Sequence, residues 1–262
     1  MGDESASELI FGLHPVREAL RAGRRRLIRL RIREDSARAE LDEIGELAQA
    51  AGVELQRVSR SQLEASLPPG AKNQGMLLEA GPLPALSLEE IRSLPLAPGA
   101  SRRLVALDGV EDPQNLGAII RVAEAAGALG LVLTARRAPP LGAAVARASA
   151  GAVEHLPVSR VANLRRALEQ LKKGGFWVIG ADTRAGDDLF QSADRIWQGD
   201  LVVVLGAEGR GLRRGVVDSL DHRVRIPMAG RVGSLNVASA AAVVLFEALR
   251  RGSGIEVKSP RS

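Results

Sequence analysis

The 262-residue sequence contains no cysteine, no tyrosine, and only four Phe and two Trp. The absence of Cys removes disulfides, thiolate metal sites and cysteine nucleophiles together. Three histidines, His14, His155 and His222, stand too far apart to form a spaced ligand pair, so no metal site is expected. Aromatic residues at 2% leave few platforms on which single-stranded bases could stack. No stretch approaches the ~20 apolar residues of a membrane span, and the opening residues are acidic and polar, unlike a signal peptide. A cytoplasmic protein without membrane association is the expectation.

What is present is a globular balance, with 45% hydrophobic and 26% charged residues over a length that suits one large domain or two modest ones. The net charge is +5, and 32 of the 36 basic residues are Arg, whose planar fork suits phosphate. The first 100 residues carry 13 basic and 15 acidic groups; the remainder carries 23 and 16, so the positive excess lies in the later part. A local cluster of Arg17, Arg21, Arg24, Arg25, Arg26, Arg29, Arg31 and Arg33 encloses only Glu18. Such a run reads equally as a phosphate-binding surface or as a solvated helix face.

Pro82, Pro84, Pro95 and Pro98 mark residues 81–100 as a linker between regions of different charge. Residues 8–80 read as a small α/β domain: a short helix at Pro15–Leu20, an alternating strand at Leu27–Ile32, a helix at Ala37–Ala51 stopped by Gly52, and strands at Val53–Val58 and Gly75–Glu79. Across 101–252 apolar runs alternate with helical patterns, at Leu104–Leu107, Leu131–Leu133, Ala152–Val158, Trp177–Ala181, Leu201–Leu205 and Val224–Ile226. This alternation predicts an α/β fold with a mostly parallel sheet covered on both faces, with ligands held beyond the C-terminal strand ends. Residues 253–262 read as a flexible tail.

Three segments follow such strand ends. In the first, Asp108 to Arg121, Asn115 is expected to cap a helix with Leu116, Ile119, Ile120, Ala123 and Gly127 on its buried face. Gly117 and Arg121 then share the other face, leaving the guanidinium open space unless it pairs with Glu124. The second, Gly206-Ala-Glu208-Gly209-Arg-Gly211, allows close main-chain approach to a ligand beside a carboxylate. It is not a dinucleotide-binding turn, because Arg214 stands where the third glycine should fall. The third runs from Ile226-Pro227 to Ser234-Leu235-Asn236 and opens a helix of small residues fit for close packing.

Asn115, Gly117 and Arg121, then Gly206, Glu208 and Gly211, then Ile226, Ser234 and Asn236, in that order, closely resemble the three motifs of the SpoU (TrmH-type) RNA ribose 2′-O-methyltransferases of the SPOUT superfamily. Upstream, Ile10 to Leu20 and Asn73-Gln-Gly-Met are similar to the small ribosomal-protein-like RNA-binding domain of the bacterial 23S rRNA guanosine 2′-O-methyltransferases. The resemblance covers about residues 8–251. It departs at Ala238 and Asn73, where many relatives carry Ser and His.

The resemblance implies a C-terminal trefoil knot in the parallel sheet, a homodimer, and S-adenosylmethionine held by Gly206, Ile226 and Leu235, largely through main chain. It implies methylation of a guanosine ribose 2′-hydroxyl in 23S ribosomal RNA, with a tRNA guanosine or a resistance-type 23S target as the alternative. Arg121 is then the residue at the hydroxyl, held by Asn115 and Glu208, while Ser234 and Asn236 order the loops. A guanidinium is a poor base, so stabilising the developing alkoxide is its expected role. Arg17, Arg21, Arg24 and Arg25 are the expected RNA contacts.

Overall fold

A computed structural model of the chain describes residues 7–36 and 38–252. The terminal segments, including the expected tail at 253–262, lie outside the described residues. The elements in chain order are β1 (Glu8–Phe11), α1 (Leu13–Ala22), β2 (Leu27–Arg33), α2 (Arg38–Ala50), β3 (Glu54–Val58), α3 (Arg60–Ala65), β4 (Met76–Ala80) and α4 (Leu88–Arg92). They continue with β5 (Arg103–Asp108), α5 (Pro113–Ala125), β6 (Gly130–Thr134), α6 (Ala143–Ala148), β7 (Val158–Val161), α7 (Leu164–Lys173), β8 (Trp177–Ala181), β9 (Asp187–Asp188), β10 (Leu201–Gly206), α8 (Arg214–Val217), β11 (His222–Arg225) and α9 (Val237–Arg251).

The chain forms two compact units. The first comprises residues up to Pro84 with Leu116–Arg121 and Pro140–His155. Its four-stranded sheet has the order β1-β4-β2-β3, antiparallel except for the β2/β3 pair. Alternation along β2 buries Leu30 and Ile32 on one face. Where the sequence pattern suggests a strand from Ala152, the chain instead turns through Ala150 and Gly151, both at positive φ, into a 3-10 turn at Ala152–Glu154, and β7 starts only at Val158. That turn buries Glu154 completely against Arg25, whose Nε and a terminal nitrogen each donate to the carboxylate at 3.0 Å. Arg25 also donates to Glu8 at 2.9 Å and to the Gly81 carbonyl at 3.2 Å. Burial pushes the Glu154 carboxyl up, opposed by the charge and hydrogen bonds of Arg25.

The second unit carries a seven-stranded sheet, parallel at every pair, in the order β7-β6-β5-β10-β8-β11-β9. Its strands read as continuous apolar runs because both faces are covered. Leu164, Leu168 and Leu171 of α7, Val216 of α8 and Ile91 of α4 pack with Leu104, Val202 and Val204 on one side. Residues 81–100 are thus only partly a linker. Ser87 and Glu90 form a capping box for α4, Ile91 is fully buried, and Leu86 bridges to Ser159. Helix α9 packs on β10, and it buries Val237, Ala241, Val244 and Ala248. Its last turn is tied down by Glu247, which accepts from Arg250 at 2.7 Å and Arg251 at 2.6 Å.

Removing one member of the buried Arg25–Glu154 pair strands the other charge. Glu154→Ala is expected to cost about 3–5 kcal/mol in chemical denaturation; a loss under about 1 kcal/mol would contradict a stabilising role for the pair. Hydrogen bonds from Arg250, then Arg251, hold the Glu247 carboxyl at about 2. Its folded value is depressed, so its contribution is complete above the usual carboxylate range and is lost as pH falls towards about 2. Acid denaturation of Glu247→Gln should accordingly be less steep than that of the parent over that interval.

Candidate active site

Strands β5, β6 and β7 progress to one side of the sheet and β8 to the other, with β10 inserted between β5 and β8. The strand order therefore reverses around β5 and β10, where parallel α/β sheets hold their ligands beyond the C-terminal strand ends. The main chain leaving β10 turns back on itself: Ala207 bridges Gly211, and the Gly211 N–H donates to the Ala207 carbonyl at 2.9 Å. A Cβ on Gly206 would stand 2.3 Å from the Gly211 carbonyl carbon, so the tight turn requires glycine there. Asp108, buried at the end of β5, fixes the far side of this loop by accepting the Arg213 N–H at 2.8 Å.

Asn236 joins the three segments. Its Oδ1 accepts from the N–H groups of Ala238 and Ser239 at 2.9 and 3.4 Å and so caps α9. Its Nδ2 donates to Asn115 Oδ1 at 2.9 Å and also to Glu208 Oε1. A cleft of about 430 Å³ opens over Glu208 and Asn236, lined by Ala181–Arg184, Leu205–Gly211 and Ser234–Val237. A smaller cavity shares Ser234 and Leu235 and adds Ile226 and Met228.

Residues 102–246 match the model of the SpoU rRNA methylase family, and residues 9–85 match that of the RNA 2′-O ribose methyltransferase substrate-binding domain. The chain belongs to the SpoU rRNA methylase family. It is 37% identical to a Vibrio vulnificus protein named 23S rRNA (guanosine-2′-O-)-methyltransferase RlmB, covering 94% of this chain and 98% of that one. It is 36% identical to YacO of Bacillus subtilis, named only to the level of a TrmH family tRNA/rRNA methyltransferase, over 93% of this chain and 96% of that one. The AdoMet-bound rRNA methyltransferase of Sinorhizobium meliloti superposes with a TM-score of 0.76 at 27% identity, over 95% and 88% of the two chains.

Against the SpoU motifs, the structure brings together Asn115, Glu208 and Asn236 by hydrogen bonds, with Gly206, Ser234 and Leu235 on the same cleft and Ile226 on the adjoining cavity. Several expectations change. Asp112, not Asn115, caps α5, accepting from the Gln114 and Asn115 N–H groups, because Pro113 occupies the first helical position. Asn115 and Glu208 hold the Asn236 amide, not a guanidinium. Arg121 is exposed and, among the described residues, has no hydrogen bond or ion pair, Glu124 included. Gly117 does not clear space for Arg121: a Cβ there would lie 2.3 Å from the Ala148 Cβ, so it admits the end of α6. Gly127 is exposed beyond the end of α5.

The arginine cluster is also largely spoken for. Arg25 is buried on Glu154, Arg24 donates to the Glu154 carbonyl at 3.1 Å, Arg17 pairs with Glu43 at 2.9 Å, and Arg21 pairs with Glu18 and Glu43. Their partners come mostly from distant sequence, so counting acids between residues 17 and 33 overstates the free charge. Arg25 in particular cannot contact RNA as placed. One lining residue escapes the sequence reading: Asp182, just beyond β8, is 5% exposed. Burial alone would raise its carboxyl, but hydrogen bonds from Arg184 and the charges of Arg184 and Arg223 outweigh that and hold it low. Its position after a strand end at the reversal of strand order was the available signal.

Asn236→Asp retains a good cap but places a carboxylate against Glu208, whereas Asn236→Ala removes both the cap and the bridge. The alanine variant is expected to lose about 1 kcal/mol at any pH. The aspartate variant should be less stable near neutrality and recover as pH falls and one carboxylate protonates. Identical pH profiles for the two variants would refute the Glu208 contact.

Proposed function

We propose that the chain transfers a methyl group to the ribose 2′-hydroxyl of a guanosine in 23S ribosomal RNA. The observation that carries this reading is the hydrogen-bonded joining of Asn115, Glu208 and Asn236, one from each motif, with Glu208 and Asn236 lining a cleft at the reversal of strand order. Relatives so named, matched over nearly their whole length, supply the target.

The cleft suits S-adenosylmethionine in size, and Gly209 and Gly211 leave main-chain groups open to it. When bound, the cofactor supplies an electrophilic methyl group on a sulfonium. Gly206, Ile226 and Leu235 would hold it. As the 2′-oxygen gains the methyl carbon, the carbon–sulfur bond breaks to leave a neutral thioether and the hydroxyl proton passes to water, with negative charge building on the oxygen along the way. Arg121 is a cation on α5 with no hydrogen bond or ion pair among the described residues, carrying donors in a fixed fork and unable to act readily as a base. It stabilises the developing alkoxide, while Asn115, Glu208 and Asn236 fix the loops that align attacking and leaving atoms. Ser234, exposed on the cleft, offers a hydroxyl to the substrate.

The first unit grips the RNA, with half-exposed arginines such as Arg21 meeting phosphates. The boundaries 8–80, 81–100 and 101–252 for substrate-binding, connecting and catalytic parts, the trefoil knot, the homodimer and a cytoplasmic location belong to the same reading. No helix among the described residues is long and apolar enough to cross a membrane.

Arg121→Ala should lower turnover on 23S rRNA by about 10²–10³-fold, the usual cost of one charge-stabilising donor, with cofactor affinity unchanged by calorimetry. Turnover within about threefold of the parent would exclude Arg121 from the reaction.

A further inference from the structure

The second unit holds another cleft, of about 410 Å³, that the methyl-transfer chemistry does not use. It lies beyond the C-terminal ends of β6 and β7, on the same sheet edge as the Gly206 loop. With strands ~4.8 Å apart, its centre falls ~10–15 Å along that edge from β10.

Four features of the cleft point to an anion. Arg136 and Arg137 are exposed on its wall and, among the described residues, have no hydrogen bond or ion pair. Arg165 and Arg213 add two more guanidinium groups, each already balanced by a carboxylate, Glu169 and Asp108 respectively. The ten-residue helix α7 opens onto the cleft. Asn163 caps its Arg166 N–H, and the N–H groups of Leu164 and Arg165 remain open. Thr134, the last residue of β6, is only 6% exposed, and its Oγ1 has no hydrogen-bond partner although it lines the cleft.

A buried hydroxyl with no partner normally signals a missing one. A phosphate oxygen would accept from that hydroxyl, from the open N–H groups of α7 and from the two free guanidinium groups. Arg137 sits at φ +67°, a conformation that residues other than glycine hold where surrounding contacts impose it, commonly at ligand clamps. Among the described residues, no carboxylate lines the cleft. Its walls are otherwise small or apolar, Ala162, Leu164, Gly215 and Val216, which leaves room for a sugar or base beside the phosphate.

We propose that Thr134, Arg136, Arg137, Arg165 and the α7 N-terminus form a phosphate-binding subsite for the RNA strand flanking the methylated nucleotide. The inference rests on the reading that the substrate is RNA. The subsite takes the backbone and not the base, so it sets register and affinity without reading sequence.

The test uses the full chain with Arg136→Ala/Arg137→Gly, the glycine suiting the positive φ, and separately Thr134→Val. Binding of a 23S rRNA fragment is measured by anisotropy across a salt series, with thermal midpoint and S-adenosylmethionine affinity as controls for folding. The double variant should bind RNA about tenfold more weakly, with a salt slope smaller by about 1.4, at ~0.7 for each phosphate that is no longer neutralised. Cofactor affinity should not move, KM for RNA should rise, and kcat at saturation should hold within about threefold. Thr134→Val should weaken binding without changing the slope. An unchanged RNA affinity and slope in the double variant would overturn the subsite. So would inorganic phosphate binding that the double variant loses while its RNA binding stays at the parent's level, which would mark a small-anion site. If the parent binds RNA with the expected slope yet methylates none, the functional reading fails and the subsite stands.

Discussion

One side-chain amide holds the candidate active site together. Asn236 uses its oxygen to begin α9 and its nitrogen to hold Asn115 from the helix after β5 and Glu208 from the loop after β10. These residues are separated by 121 and 28 positions in sequence, and no other side chain among them could perform both tasks. A hydroxyl would cap the helix but could not reach two acceptors, and a carboxylate would repel Glu208. The geometry of the cleft therefore depends on a single residue type at one position. The main-chain turn at Gly206–Gly211 and the Arg213–Asp108 contact give that residue rigid partners.

Arginine serves two different ends in this chain. Arg25 is consumed in structure, buried on Glu154 with every nitrogen bonded, and Arg251 fastens the end of α9 through Glu247 and Asp194. Arg121, Arg136 and Arg137 are exposed and unpaired among the described residues. With few aromatic rings available, phosphate contact is the means of holding RNA that the composition leaves open. The same residue type thus divides into paired and free sets, and the free set can meet a polyanion without giving up an existing partner.

Much of this was legible in sequence, and the limits are physical. The central strands β5, β8 and β10 are uninterrupted apolar runs because both sheet faces are covered, and their positions follow from hydrophobicity alone. The three motifs lie beyond strand ends, where topology places ligands; Glu208 and Asn236 of the second and third line one cleft, and Asn115 of the first is hydrogen-bonded to Asn236. Pairing partners were not legible. Glu154 reads as part of an apolar strand, yet a turn at positive φ delivers it to Arg25, 129 residues away. Asn115 reads as a cap because the rule rewards its side chain, yet Asp112 before Pro113 wins that role and frees Asn115 for Asn236. Proline content marks residues 81–100 as a linker, but the buried Ile91 shows how a short capped helix between prolines can join a core.

The central claim is that the three strand-end segments make one site for ribose methylation of RNA. The most direct measurement is to incubate the protein with labelled S-adenosylmethionine and unmodified 23S rRNA or unmodified tRNA, then map the modified nucleoside by mass spectrometry. The account predicts 2′-O-methylguanosine at a single position of 23S rRNA. A methyl group on a base, or label found only in tRNA, would contradict it.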